Sequence, residues 1–191
     1  MTYLQKHLRI IDPLYGALKP LDLIQPYRLE MATKGILKDL KTSKKTLASW
    51  WGKDITSYVN SDLMKSKSKY LINLASDEYS SAIDKALLCD GCKVLKISFQ
   101  EEGKVVAVHA KRARGLMCRF IAENELEEPD GIKKFDWEGY KFVESSSDDS
   151  SFVFNRSKSW KNDDHSSSGV ERKRKSTDMD NTAKKKQTKP K

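Results

Sequence analysis

The segment Lys111-Arg112-Ala113-Arg114-Gly115 sets three cations beside a glycine, where a strand pattern gives way to a helix pattern. Cations crowding the positive end of a helix are each disfavoured by roughly 0.3–1 kcal/mol. A bound anion removes that cost and also uses the free backbone N–H groups of the first turn. Gly115 would let a phosphate backbone approach closely, and Arg119 extends the basic surface along the same helix. In the competing reading, Lys111 and Arg114 pair internally with carboxylates such as Asp77 or Glu78.

The remaining candidates are weaker. Ser76, Asp77 and Glu78 follow an apolar run at an expected helix start, where Ser76 suits an N-cap and the acidic pair suits the first turn. Asp77 and Glu78 are adjacent, so they point to different sides of a helix and cannot work as a paired acid and base. One of them is placed to hold an arginine of the basic segment. Arg28, in Tyr27-Arg28-Leu29-Glu30, either joins the basic surface or pairs with Glu30. Cys89-Asp90-Gly91-Cys92 lacks the second ligand pair that a zinc site needs. An Asp-Gly turn explains its spacing. His7, His109 and His165 are scattered. No nucleophile elbow, phosphate loop or dinucleotide fingerprint is present. The reading is therefore a binding protein rather than an enzyme, with no catalytic residue, cofactor or metal assigned. Trp50 and Trp51 could stack on bases, but at least one belongs to a helix core.

These residues need elements to hold them. Leu4, Leu8, Ile11, Leu14, Tyr15 and Leu18 recur at helical spacing, interrupted by Pro13. Pro20 and Pro26 predict an extended connector over 19–27. A helix begins at Thr46, with Leu47, Trp50, Trp51, Ile55, Tyr58 and Val59 on its apolar face. Tyr70 to Leu74 reads as a buried strand, followed by a helix from Ser76 to about Leu88. Leu95, Ile97 and Phe99 alternate with polar residues as in a strand. Glu101-Glu102-Gly103 turns the chain, and Val105 to His109 is expected to return. An amphipathic helix follows through Ala113, Leu116, Met117, Phe120 and Ile121. A last hairpin pairs Tyr140–Glu144 with Phe152–Arg156. The fold class is α+β, a mixed sheet with helices.

The charge is uneven. The chain carries a net +9, and residues 155–191 hold twelve Lys or Arg against five Asp or Glu, a net of +7. The preceding part is close to balanced, so a basic face there must come from placement. Residues 157–191 are polar and charged and are expected to be a disordered basic tail after a domain spanning 1–156. Arg172-Lys173-Arg174-Lys175 and Lys184-Lys185-Lys186 resemble a bipartite nuclear import signal, which would engage an import receptor, or serve to bind polyanions. No apolar run reaches membrane-spanning length. Three cysteines do not make a disulfide framework, and an intracellular setting is expected.

Longer motifs carry a resemblance. His7 to Met31, which includes Leu14-Tyr15-Gly16 and Pro26-Tyr27-Arg28-Leu29-Glu30-Met31, is similar to a run found mid-chain in the YaaA peroxide-stress family. So are Trp51-Gly52, Asn73-Leu74-Ala75-Ser76-Asp77-Glu78-Tyr79, the stretch Ala110 to Ile121, Phe135 to Phe142 and Phe152-Val153-Phe154. The resemblance covers roughly residues 4–156. It departs in a Lys-rich stretch over 31–49 and in lacking the family's first half. It implies an incomplete YaaA-like fold and a cytosolic role in the response to hydroperoxide. It further implies DNA binding through a basic cleft, together with a helix-hairpin-helix element that would lie in the absent half. The rival readings are an enzyme acting on a phosphorylated substrate and a truncated product of little activity. The absent half should leave an apolar surface around Leu4, Leu8, Ile11, Leu14, Trp50 and Trp51, which invites self-association or a partner chain.

Overall fold

The computed structural model describes residues 2–161. The import-signal clusters, and all of the tail beyond Lys161, lie outside the described residues. The elements in order are α1 (Thr2–His7), β1 (Ile10–Asp12), β2 (Gly16–Leu18), α2 (Leu47–Leu63), β3 (Tyr70–Asn73), α3 (Asp77–Ser80), β4 (Lys93–Glu101), α4 (Ala107–Glu123), β5 (Lys141–Phe142) and β6 (Ser151–Arg156). This is an α+β fold. Its main sheet has the order β3-β4-β6-β5. The first three strands run parallel, with Ile72 opposite Leu95 and Phe99 opposite Phe154, and β5 is antiparallel to β6.

Along β4 every second residue is buried: Leu95, Ile97, Phe99 and Glu101. That period of two turns one face of the strand toward α4, which presents Ala110, Ala113, Met117 and Phe120 at helical spacing. Between them lies an aromatic cluster in which Phe99 meets Phe135, Tyr140 and Phe154 at centroid distances of 5.1–5.9 Å. A second core surrounds α2, where Leu47, Ile55, Val59 and Leu63 bury against Met31, Leu37 and Ala82. The α2 helix starts at a reciprocal cap. Thr46 Oγ1 accepts from Ser49 N at 3.1 Å, and Ser49 Oγ accepts from Thr46 N at 3.2 Å. β3 joins the two cores: Leu71 packs toward α2, while Tyr70 and Ile72 pack toward α4.

Several expected elements take another form. The helical pattern of residues 4–18 breaks after His7, and β1 and β2 form a hairpin instead. Pro13 cannot donate a helical hydrogen bond. Asp12 Oδ1 instead accepts from Leu14 N at 2.8 Å and Tyr15 N at 2.7 Å, which fixes a turn. Gly16 completes that turn at φ +81°, and a Cβ there would stand 3.1 Å from the Trp51 ring. The helix expected from Ser76 to Leu88 is one turn, α3, with a separate 3₁₀ turn at Lys85–Leu87 that Asp84 caps. Short polar side chains such as Asp84 compete for backbone groups and break helices in this way. Val105–His109 does not return as a strand: both edges of β4 are already taken, by β3 and β6, and the chain enters α4 at Ala107.

Beyond Arg156 the described chain continues to Lys161. Lys158–Lys161 form a 3₁₀ turn. Lys158 N donates to Glu102 at 2.9 Å, and the Trp160 ring lies 4.7 Å from the Arg156 guanidinium. Of the residues expected to be orphaned, Leu14 and Trp50 are exposed, whereas Trp51 is half-buried and its Nε1 donates to Pro13 O at 2.9 Å.

Candidate nucleic-acid interface

Helix α4 holds the basic segment, but its start differs from the expected one. Val106 is the N-cap and contributes no side-chain hydrogen bond. The free N–H groups of the first turn thus belong to Ala107, Val108 and His109, and Lys111 lies past them. An anion on the helix end would not sit among these cations, so the helix-terminus argument for the site does not hold. What remains is a surface. With 100° per residue, the buried Ala110, Ala113, Met117 and Phe120 define one side of α4. Lys111 and Arg114 lie to one side of the outer face, and Arg112 and Arg119 to the other.

The cations divide by partner. Arg112 Nε donates to Glu138 Oε1 at 2.7 Å. Arg119 Nε donates to Glu123 Oε1 at 2.8 Å, and its guanidinium lies 5.7 Å from the Trp137 ring. Among the described residues Lys111 and Arg114 make no ion pair. Lys111 is exposed, and Arg114 is half-buried at the lip of a groove beside β3. Arg28 is exposed on the connector between β2 and α2, and it makes neither the alternative pair with Glu30 nor any other ion pair among the described residues.

The supporting residues behave differently from expectation. Ser76 occupies the N-cap position of α3 without a capping hydrogen bond. Asp77 holds a lysine, not an arginine: Lys96 Nζ lies 2.7 Å from its Oδ1. That hydrogen bond and charge, with a smaller contribution from Arg114, hold the Asp77 carboxyl below its usual range. Glu78 Oε1 accepts from Ala32 N at 2.8 Å and so anchors the connector. A Cβ built on Gly115 meets nothing within 4 Å, so packing does not require glycine there.

A second charged group, not anticipated from sequence, closes the carboxyl ends of β4 and β6. Arg156 sits between Glu101 and Glu138, with Nη2 2.9 Å from Glu101 Oε2 and Nη1 3.5 Å from Glu138 Oε2. The Tyr140 ring lies 4.6 Å from its guanidinium. Glu138, which also takes Arg112, is held at φ 53°. His109 Nδ1 lies 3.1 Å from Glu101 Oε2 but is misaligned, and it has no hydrogen-bond partner. The only sequence signal was that Glu101 falls on the apolar register of its strand.

Cys89 and Cys92 are joined by a disulfide across the Asp90-Gly91 turn, where Gly91 has φ +73°. The turn matches the expected one, while the bond adds a crosslink the spacing alone did not require. Cys118 is free, and burial pushes its thiol up. Among the described residues no three His, Cys, Asp or Glu side chains converge as a metal site. No described helix is long and apolar enough to cross a membrane.

The sequence model of the family described as "Peroxide stress protein YaaA" matches residues 1–146. Curated relatives carry the name UPF0246 protein. One from Acaryochloris marina is 48% identical over 160 residues, covering 81% of this chain and 60% of its own length. One from Bordetella petrii is 43% identical over 161 residues, covering 82% and 60%. One from Rickettsia africae is 44% identical over 161 residues, covering 82% and 61%. The chain thus spans about 60% of the length of these relatives.

Proposed function

We propose, from the premise that this chain belongs to the YaaA peroxide-stress protein family, that it serves that response by binding DNA through the outer face of α4. The carrying observation is the division of the cations. Arg112 and Arg119 are satisfied by carboxylates, while Lys111 and Arg114 make no ion pair among the described residues. They are three residues apart on one helix and hence neighbours on its surface. Two unpaired cations at that spacing suit adjacent phosphate oxygens. Contacts of this kind position a duplex without reading its sequence. Arg112 and Arg119 already share their charge with Glu138 and Glu123, so they contribute less. The polar and basic residues beyond 161 would add a second, diffuse polyanion contact and engage an import receptor, placing the protein in the nucleus as well as the cytosol.

The test is a titration of labelled duplex DNA at several salt concentrations. The intact chain should lose affinity steeply as salt rises. Lys111→Ala with Arg114→Ala should weaken binding alike on unrelated sequences and reduce the salt slope by about one for each phosphate left without its cation. Both residues lie outside the buried face of α4, so the fold should persist. An unchanged affinity and slope in that variant would reject the interface. No metal-ligand cluster among the described residues favours the rival reading of an enzyme on a phosphorylated substrate.

A further inference from the structure

Cys89 and Cys92 are bonded across the turn that links the 3₁₀ segment Lys85–Leu87 to β4. The bond encloses only Asp90 and Gly91. The stabilisation that a crosslink gives through the unfolded chain grows with the loop it closes, so this one is a poor staple. The turn is also held without it. Asn60, on α2, grips the incoming side twice: its Oδ1 accepts from Cys89 N at 2.9 Å, and its Nδ2 donates to Leu87 O at 2.7 Å. On the outgoing side Lys93 N donates to Lys69 O at 3.0 Å. Cys92 N donates to Cys89 O at 3.0 Å and closes the turn itself. Each of these bonds is made by backbone or by Asn60, and none requires the sulfur–sulfur bond. The two sulfurs therefore stay side by side as thiols. Both cysteines are half-buried at the rim of the core around α2, with Asp90, Gly91 and Lys93 exposed beside them. A small reagent can reach them there.

We propose that Cys89 and Cys92 are a redox-active dithiol whose substrate is a hydroperoxide. A hydroperoxide is a two-electron oxidant small enough to meet a half-buried sulfur without a docking surface. The thiolate of one cysteine attacks a peroxide oxygen, and the O–O bond breaks. That sulfur becomes a sulfenic acid, and the other oxygen takes up the thiol's proton and leaves as water or an alcohol. The second thiol then attacks the sulfenic sulfur, which forms the S–S bond and releases water. Two electrons have passed from the two sulfurs to the peroxide. The held turn makes this second step intramolecular between positioned groups. The return uses a dithiol reductant. One of its thiolates takes a cysteine sulfur into a mixed disulfide, and its other thiol displaces that cysteine, so the reductant leaves as a disulfide and both cysteines as thiols. Cys118 is the internal reference, because burial pushes its thiol up and disfavours the reactive thiolate.

The experiment uses the full 191-residue chain. It is reduced with dithiothreitol in the absence of denaturant, freed of the reagent, and treated with one equivalent of hydrogen peroxide. Thiols are counted and located by alkylation and mass spectrometry. Reduction should raise the free cysteines from one to three while the chain stays folded and unfolds cooperatively in urea. Peroxide should return Cys89 and Cys92 to the disulfide at least about tenfold faster than it oxidises Cys118. Cys89→Ser and Cys92→Ser keep one sulfur each, and in one of them peroxide should leave a sulfenic acid that dimedone traps, which names the attacking sulfur. A chain that unfolds on reduction overturns the proposal, since the bond is then a structural staple. So does a disulfide that resists dithiothreitol in the folded chain, a pair that reoxidises no faster than Cys118, or a sulfenic acid in neither variant. None of these readings involves DNA, so the interface on α4 stands or falls separately.

Discussion

Arg156 lies with only 4% of its side chain exposed, within 2.9 Å of Glu101 and 3.5 Å of Glu138. Each carboxylate gives up water on folding, and the guanidinium between them is what offsets that loss. Glu138 has Arg112 as a second partner, whereas Glu101 has otherwise only the misaligned His109. Removing Arg156 therefore strands Glu101 as an uncompensated buried charge. Arg156→Met should cost about 3–5 kcal/mol, read as a shift in the urea midpoint. Adding Glu101→Leu should recover part of that loss, because a paired replacement leaves no buried charge. If the double variant is no better than the single, the pair is not the source of the cost. His109 and Arg156 were single letters without a pattern, and a contact across 55 residues is set by where strands end, not by local spacing.

At the scale of elements, local signals worked where one stretch of chain could satisfy itself. Helix α2 shows this: Thr46 and Ser49 close its first turn, and its apolar positions fall at helical spacing. Thr46→Ala should cost about 1 kcal/mol in a denaturant titration, since it removes the cap without touching the buried face. A loss near zero would mean that packing of Leu47 alone fixes the start. Local signals misled where a neighbour decided. The residues Val105–His109 have strand-like composition, but β4 had no open edge to offer them. The pattern over residues 4–18 suits a helix, yet Asp12 and Gly16 turn it into a hairpin that Trp51 covers. The basic segment was found, but its place in α4 was off by a turn. That offset moves the free N–H groups away from the cations and leaves an exposed basic surface in place of a helix-end site.

For the whole molecule, charge is the dominant asymmetry. Residues 155–191 carry +7 of the chain's +9. The turn at Lys158–Lys161 is tied to Glu102 and Arg156, so a deletion that tests the tail should begin after Lys161. A tagged chain lacking residues 162–191 should keep its unfolding midpoint while losing nuclear accumulation and part of its salt-sensitive DNA affinity. An unchanged nuclear fraction would reject the import role.

The sequence by itself determined the family, the α+β class, helix α2, strands β3 and β4, the closing β5–β6 pair and the basic stretch of α4. Each of these rests on a period of two or 3.6, a cap, or a long ordered motif, all of which are readable along the chain. Only the tertiary structure decided which cations go unpaired, that Asp77 holds Lys96, that Arg156 sits between two carboxylates, and that β3 is left at an edge beside an apolar groove. The reason is common to all four. Pairing and edge position depend on which elements meet in space, and nothing in local spacing encodes that.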